Sequence, residues 1–330
     1  MKSRGLKIVL IIILSIIIIV LINFMVYAIV NKDLKTSLIS FGDNTEMIFE
    51  KEYNPEQLES LNIDVSSSNV KIEKTDTENI KIIAYGDKND KIKELIDNNE
   101  LVISKENSRR FIFAMFYWCN EEITIQIPKD SDEELKVNTS SGDIIAKNLE
   151  NNDIKFETSS GEIVCENINN GELKSSSGDI TVGNGNEVVL NSSSGSIKAG
   201  DFDILSAEAS SGNIEIGIVN EASLKTSSGK IEVEKVEKLE AESSSGEIDI
   251  KSIENYCKLI AKSGSIEIDS LNISENSSIT TKSGNVHINS KNDIYIETET
   301  ISGDDNIKNN NRKADIEVKI ATTSGSIYVE

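Results

Sequence analysis

From Val137 to the C-terminus, apolar and polar residues follow a template tied to a recurring serine-glycine turn, written SSSGDI at Ser175–Ile180. Its glycines are Gly142, Gly161, Gly178, Gly195, Gly212, Gly229, Gly246, Gly264 and Gly284, with Gly325 as a final copy. Gly303 is a worn candidate, because Asp305 stands where an apolar residue is expected. From Gly161 to Gly246 the spacing is 17 residues at every step, which marks a repeat architecture. The fifth residue before each of the first nine glycines is apolar, from Val137 and Phe156 to Leu259 and Ile279. So are the second residue after it, from Ile144 to Val286, and the fourth, from Ala146 to Ile288. Mostly polar residues such as Lys198, Glu215 and Glu232 separate them, so the period is two and the segments are predicted strands with one buried face.

A single coil of this length cannot bury its own apolar residues, whereas stacked coils share a continuous narrow core. The predicted fold is therefore all-β, a β-solenoid. About ten coils stacked roughly 4.8 Å apart would make a rod roughly 50 Å long. The corner glycine is expected to supply a positive φ, and the serines beside it to satisfy corner backbone groups. A further apolar column seven residues after the glycine (Leu149, Ile168, Phe202, Val219, Val236, Ile253, Leu271) suggests another wall, broken at Gly185 and Lys291. Two or three walls per coil both fit.

Ahead of the array, strands are predicted at Glu46–Tyr53, Leu61–Val65, Asn69–Glu73, Ile80–Tyr85, Leu101–Lys105 and Ile123–Ile127. The segment VSSSNVKIE (Val65–Glu73) is a worn corner with Ser68 in the glycine's place, and Asp90–Ile96 has helical spacing for about two turns. Residues 58–134 then form an irregular cap with early coils, and 135–330 the regular array with degenerate last coils. Phe111–Trp118 (FIFAMFYW) is apolar at every position. A strand buried on both faces is the plainer reading. An exposed edge touching a membrane or partner would make Phe111, Phe113, Phe116, Tyr117 and Trp118 candidate interaction residues.

The first 30 residues change the picture of location. Ile8–Val30 is 23 residues without a charge, long enough to span a bilayer, after a short basic tail (Lys2, Arg4, Lys7). The expectation is one uncleaved transmembrane helix at 8–30, a cytoplasmic tail at 1–7, a juxtamembrane linker at 31–57 and an extracytoplasmic rod. A cleaved signal peptide competes with it, since Val26 and Ala28 suit a cleavage site.

The formal net charge is −22, a surface that repels nucleic acid and keeps a strand-rich rod soluble. Three cysteines, Cys119, Cys165 and Cys257, do not form a disulfide framework: the last two fall about five coils apart, beyond the roughly 7 Å reach of a bridge. Cys165 sits in an inward column as a small buried residue. The single histidine, His287, falls in an outward column with no partner at ligand spacing. The serines lack a GxSxG elbow and a base. Acidic residues recur one position after the glycine (Asp143, Glu162, Asp179, Glu247) in a mixed column without a GGxGxD calcium repeat. No catalytic residue, metal or cofactor site is expected.

The order ITIQIP (Ile123–Pro128), a leucine strand, TSSGDI (Thr139–Ile144) and repeated SSSGxI units resembles the bacterial putative-adhesin β-strand-repeat domains of unknown function. The resemblance runs from about Leu58 to the C-terminus. It implies the solenoid fold, a single membrane anchor and kinship with envelope-stress-operon proteins, and it carries over no catalytic residues. The function expected is a non-enzymatic membrane-anchored rod for adhesion, scaffolding or envelope-stress binding, with an envelope protein or glycan as partner. The alternatives are a carbohydrate-active β-helix enzyme, which needs an outward cleft with two carboxylates of different acidity, and a membrane-surface sensor acting through Phe111–Trp118.

Overall fold

The computed structural model describes residues 45–106, 120–291, 293–308 and 310–330. Within them 24 strands form one continuous hydrogen-bonded sheet wound into a β-solenoid, with a single 3-10 turn at Pro55–Gln57. The apolar 8–30 segment and Phe111–Trp118 lie outside the described residues. No helix among those described is long and apolar enough to cross a membrane.

Each coil, named here by its corner glycine, stacks on its neighbour in parallel and in register. Ile180 faces Ile197, Val182 faces Ala199, and Leu190 faces Ala207. All three apolar columns read from the sequence are buried, and so is the column seven residues after the glycine. Two ladders form the walls: one holds the residues two to four after the glycine, the other those seven to three before the next one. The seventh-residue column (Val219, Val236, Ile253) closes the short side between them.

One inward column escapes the sequence reading. Seven residues before each glycine stand Leu135, Ile154, Val188, Leu205, Ala222, Leu239 and Cys257, all buried. Gly171 interrupts this series because the Ile154 side chain fills the space a Cβ would need, 2.7 Å away. Both described cysteines, Cys165 and Cys257, are free and buried, and burial pushes their thiols up, Cys257 to about 12.

At both ends the chain order is inverted. The first coil in sequence (Ser60–Val65 and Asn69–Thr75) lies inside a later one, made from Glu100–Glu106 and Glu122–Pro128. Beyond that outer coil three antiparallel strands close the end. Ile80–Gly86 pairs with Glu122–Pro128, Glu46–Tyr53 with Ile80–Gly86, and Lys91–Asp97 with Glu100–Glu106. At the other end the last coil in sequence (Glu317–Ser324 and Ile327–Val329) is inserted between Ser277–Ser290 and the coil Tyr295–Ile307.

The helix expected at Asp90–Ile96 is a strand, Lys91–Asp97. Asn98 and Asn99 adopt positive φ (47° and 63°), the two-residue turn that folds this strand back on Glu100–Glu106. The helical spacing of Ile92, Leu95 and Ile96 marks no buried stripe, since Leu95 and Ile96 are 61% and 56% exposed. The other strands predicted ahead of the array are present to within two residues at either end.

Candidate functional site

The corner ladder is built by close approach. None of the glycines from Gly142 to Gly284 has a positive φ; among described glycines only Gly303 and Gly325 do, at 154° and 157°. The expectation of a φ requirement is therefore wrong for the nine regular corners. What excludes a side chain there is the coil below: a Cβ on Gly229 would lie 1.8 Å from the Gly212 carbonyl oxygen, and one on Gly178 would lie 1.8 Å from that of Gly161. Gly303 is a genuine corner, since its Cβ would meet the Gly325 oxygen at 2.0 Å. Ser68 holds the corner under Gly142, as the worn motif suggests.

Three residues before the glycine runs a buried column of serines and threonines, interrupted by Ala209 and Ala261. The Thr226 hydroxyl accepts from the Gly229 N–H (3.0 Å) and donates to the Gly212 carbonyl of the previous coil (3.4 Å). Thr158 and Ser175 repeat both contacts. The serines and threonines of this column are thus corner residues, whose hydroxyls satisfy corner backbone groups. One position after the glycine, short side chains brace the backbone above: Asp143 Oδ1 accepts from Glu162 N–H, Asp179 Oδ1 from Ser196 N–H, and Asn213 Oδ1 from Lys230 N–H. Asp143 and Asp179, two of the acidic residues of this column, therefore serve as backbone braces, a role that Asn213 fills equally. Among the described residues no group of three His, Cys, Asp or Glu could hold a metal ion.

Where Ser68 replaces glycine, the corner ends on buried charge. The Lys105 ammonium is almost wholly enclosed, 3.1 Å from Asp90, 2.7 Å from Glu121 and 3.5 Å from the Ser68 hydroxyl. Nothing in the hydrophobic pattern announced it. His287 is exposed, its ring tilted against Tyr328 at 6.3 Å in the next coil.

The rod's outer face carries a groove of about 650 Å³, lying over the wall that follows the corner. Its floor is a second glycine series, Gly183, Gly200 and Gly217, spaced 17 residues apart and five residues after successive corners. A Cβ on Gly183 would meet the Glu166 oxygen at 1.7 Å, and one on Gly200 the Gly183 oxygen at 2.3 Å. Three successive coils therefore present no side chain there, and a trough results. Along one side runs the outward column Thr181, Lys198, Glu215, Glu232 and Asp249, exposed at its three middle residues and half-buried at Thr181 and Asp249. Sequence reasoning missed this floor, although its spacing was the available signal.

Ion pairs tie the groove's charges together. Lys198 binds Glu215 at 2.7 Å and Lys251 binds Glu234 at 2.8 Å. Lys230 reaches both Glu232 (2.5 Å) and Asp249 (2.9 Å), and these hydrogen bonds hold its ammonium above the usual lysine range. The same cross-coil Lys–Glu pairing recurs away from the groove, for example Lys155–Glu172 and Lys225–Glu208.

Among solved structures the chain is similar to a putative cell adhesion protein from Clostridium sporogenes ATCC 15579, at 16% identity over 87% of this chain and 99% of that one, TM-score 0.28. It is also similar to a putative lipid binding protein from Parabacteroides distasonis ATCC 8503 (20% identity, 87% and 97% covered, TM-score 0.39). A putative adhesin from Parabacteroides merdae ATCC 43184 matches at 13% identity with 88% and 98% covered and a TM-score of 0.32. No curated protein matches. The family model described as Toastrack DUF4097 matches residues 58–233 and again 198–330, so that the two matches together span the whole solenoid. The chain belongs to the Toastrack DUF4097 family.

Proposed function

We propose that this protein is a non-enzymatic binding rod, anchored through Ile8–Val30 with its solenoid outside the cytoplasmic membrane, and used for adhesion or scaffolding in the envelope. The observation that carries the reading is the division of labour across each coil. Inward columns and corners are held to apolar residues, hydroxyls and glycine, while the outward column varies freely from Thr181 to Lys198 to Glu215. Such a surface can change its partner without disturbing the core.

The carbohydrate-active alternative has no support in the groove. A glycosidase needs one carboxyl group protonated and one ionised. Here one lysine ammonium sits between Glu232 and Asp249, and others pair with Glu215 and Glu234, so each of the four carboxylates is engaged by a lysine of its own surface.

The test is protease shaving of intact cells that carry the full chain with a C-terminal tag, followed by alkaline extraction of the membranes. Loss of the tag on shaving, with the chain retained in the extracted membrane, is the expected result. A protected tag, or release of the chain by alkali, overturns the anchored extracytoplasmic reading.

A further inference from the structure

We infer that Lys105 and Asp90 condense to an amide bond between their side chains, with Glu121 moving the protons, so that the N-terminal end of the rod is closed covalently.

Lys105 departs from the chemistry of its column. Ser104 pairs with Asp64 in parallel register and Val65 with Thr139, so Lys105 extends the corner column of Thr139 to the outermost coil. The other described coils put serine, threonine, alanine or valine there. Here the lysine side chain is 1% exposed and that of Asp90 3% exposed. An ammonium and a carboxylate so enclosed carry a large desolvation penalty, which a neutral amide made from the same groups does not. The Lys105 nitrogen lies 3.1 Å from Asp90 Oδ2, against the carboxyl group it would attack, and 2.7 Å from Glu121 Oε2, within reach of proton transfer. A Cβ on Gly86 would come 3.5 Å from that nitrogen, 3.4 Å from Asp90 Oδ2 and 3.0 Å from the Ile48 Cδ1 methyl. That side of the pair is therefore closed by backbone and an aliphatic side chain.

Their surroundings tell the two carboxylates apart. The Asp87 N–H donates to Asp90 Oδ2 at 3.3 Å, which places a backbone donor on the oxygen that gains charge when the carboxyl carbon is attacked. The turn is held from the other side by the Asp90 N–H, which donates to the Asp87 carbonyl at 2.8 Å. Glu121 is more open, at 16% exposed, and its Oε2 also accepts from the Ser67 hydroxyl at 2.6 Å. It thus sits at the rim of the site, fixed where it can take and return a proton.

In the step, Glu121 takes a proton from the Lys105 ammonium and passes it to the Asp90 carboxylate. The amine lone pair attacks Asp90 Cγ, and the new C–N bond gives a tetrahedral intermediate. Glu121 then takes a second proton from the nitrogen and delivers it to the departing hydroxyl; the C–O bond breaks and water leaves. One ammonium and one carboxylate become one amide and one water, Glu121 ends as it began, and nothing is oxidised or reduced. The bond bypasses residues 91–104. It fastens the hairpin of Lys91–Asp97 and Glu100–Glu106 to the turn that follows Ile80–Gly86, joining strands that close this end of the rod.

The experiment is tryptic digestion of the denatured full chain, purified from cells in detergent, with the peptides read by mass spectrometry. The Asp90 peptide should be joined to the Lys105 peptide, at a mass one water below the sum of the two, with no cleavage after Lys105. Glu121→Gln should keep the strand spectrum by circular dichroism and yield about tenfold or more less linked product at a matched time after synthesis. Lys105→Arg, which keeps the charge, should yield none. Separate Asp90 and Lys105 peptides at their sequence masses in the parent chain overturn the inference, because the groups are then an ordinary ion pair. A water loss confined to the Asp90 peptide overturns it too, as ring closure on the aspartate's own backbone. A link formed as fast in Glu121→Gln as in the parent overturns the role of Glu121. Where a variant does not fold, the parent digest decides alone.

Discussion

Replacing Thr226 by valine keeps the side chain's shape and removes one hydroxyl from the corner ladder. In the folded rod that hydroxyl takes the Gly229 N–H at 3.0 Å and gives its own proton to Gly212 at 3.4 Å, with Thr226 only 1% exposed. A buried donor left without a partner costs about 1–3 kcal/mol, and the longer bond contributes less, so the expected loss is about 2 kcal/mol. Because coils interact mainly with their neighbours, the loss falls on local opening as well as on global unfolding. Amide hydrogen exchange is therefore the assay. Exchange at Gly229 should accelerate by about 30-fold, the factor that ~2 kcal/mol represents, while Thr226→Ser, which retains the hydroxyl, should exchange much more slowly than the valine variant. The chain supplies the converse, since Ala209 occupies the same buried column without a hydroxyl. Ala209→Ser should slow exchange at Gly212 by about fivefold, the factor for a bond contributing ~1 kcal/mol. If Thr226→Val exchanges like the parent, or the serine variant is as damaged as the valine one, the hydroxyl ladder does not brace the corners.

Other consequences follow from the same geometry. Gly229→Ala would place a Cβ 1.8 Å from the Gly212 oxygen and should destabilise the rod by about 1–3 kcal/mol or more, read as a fall in thermal midpoint, because the obstacle is backbone and cannot step aside. In a Cys119→Ser chain, Cys165 and Cys257 should resist alkylation until the rod opens, given burial and, for Cys257, a thiol pushed up to about 12; prompt labelling at neutral pH would contradict the packing. At the N-terminal end, hydrogen bonds from Lys51 and then Tyr53 hold the Glu94 carboxyl below the usual range. Its folded value lies below the unfolded one, so its contribution is present above the ordinary carboxylate range and lost as pH falls through the folded value; Glu94→Gln should flatten that acid limb of a stability profile. Burial, then the hydrogen bond to Glu94, raises the Tyr53 phenol above its ordinary value of 10.0. Its contribution is therefore lost as pH climbs beyond 10, and Tyr53→Phe should remove that alkaline sensitivity.

The solenoid was legible because its core has one motif, repeated, and a strand's inward positions fall every second residue. Columns anchored to the glycine were read without error, whereas the column seven residues ahead of it was hidden by Gly171 and Ser277, which break the apolar run for local packing reasons. The corner glycines were found for a reason the structure replaces: the constraint lies between coils, and a single chain's φ preferences do not express contact with the coil below. The groove was missed for the same cause. Gly183, Gly200 and Gly217 are ordinary glycines when read one at a time, and their meaning appears only when three coils are stacked. The false helix at Asp90–Ile96 shows the converse failure, since a short spacing pattern was outweighed by the Asn98–Asn99 turn.

The inverted ends follow from what each coil can bury. A coil inside the stack needs apolar residues that are covered from above and below, and Val318, Ile320, Ile327 and Val329 provide them. The coil between Gly284 and Gly325 in sequence keeps Ile296 and Ile307 but has Thr298 and Asp305 where the inner coil has Ile320 and Ile327, and it suits a place with water on one side. Moving it outward costs one loop and puts the better apolar set inside. The exposed edge that remains is partly closed by Asn310, whose side chain accepts from the Ile296 N–H and donates to the Ile296 carbonyl, occupying both groups that a further strand would use. The opposite end solves the same problem with antiparallel strands, which do not repeat the parallel template and so give a second rod nothing to continue. A protein that must present long flat sides yet not polymerise end to end would need both devices, and the sequence spends its least regular residues on them.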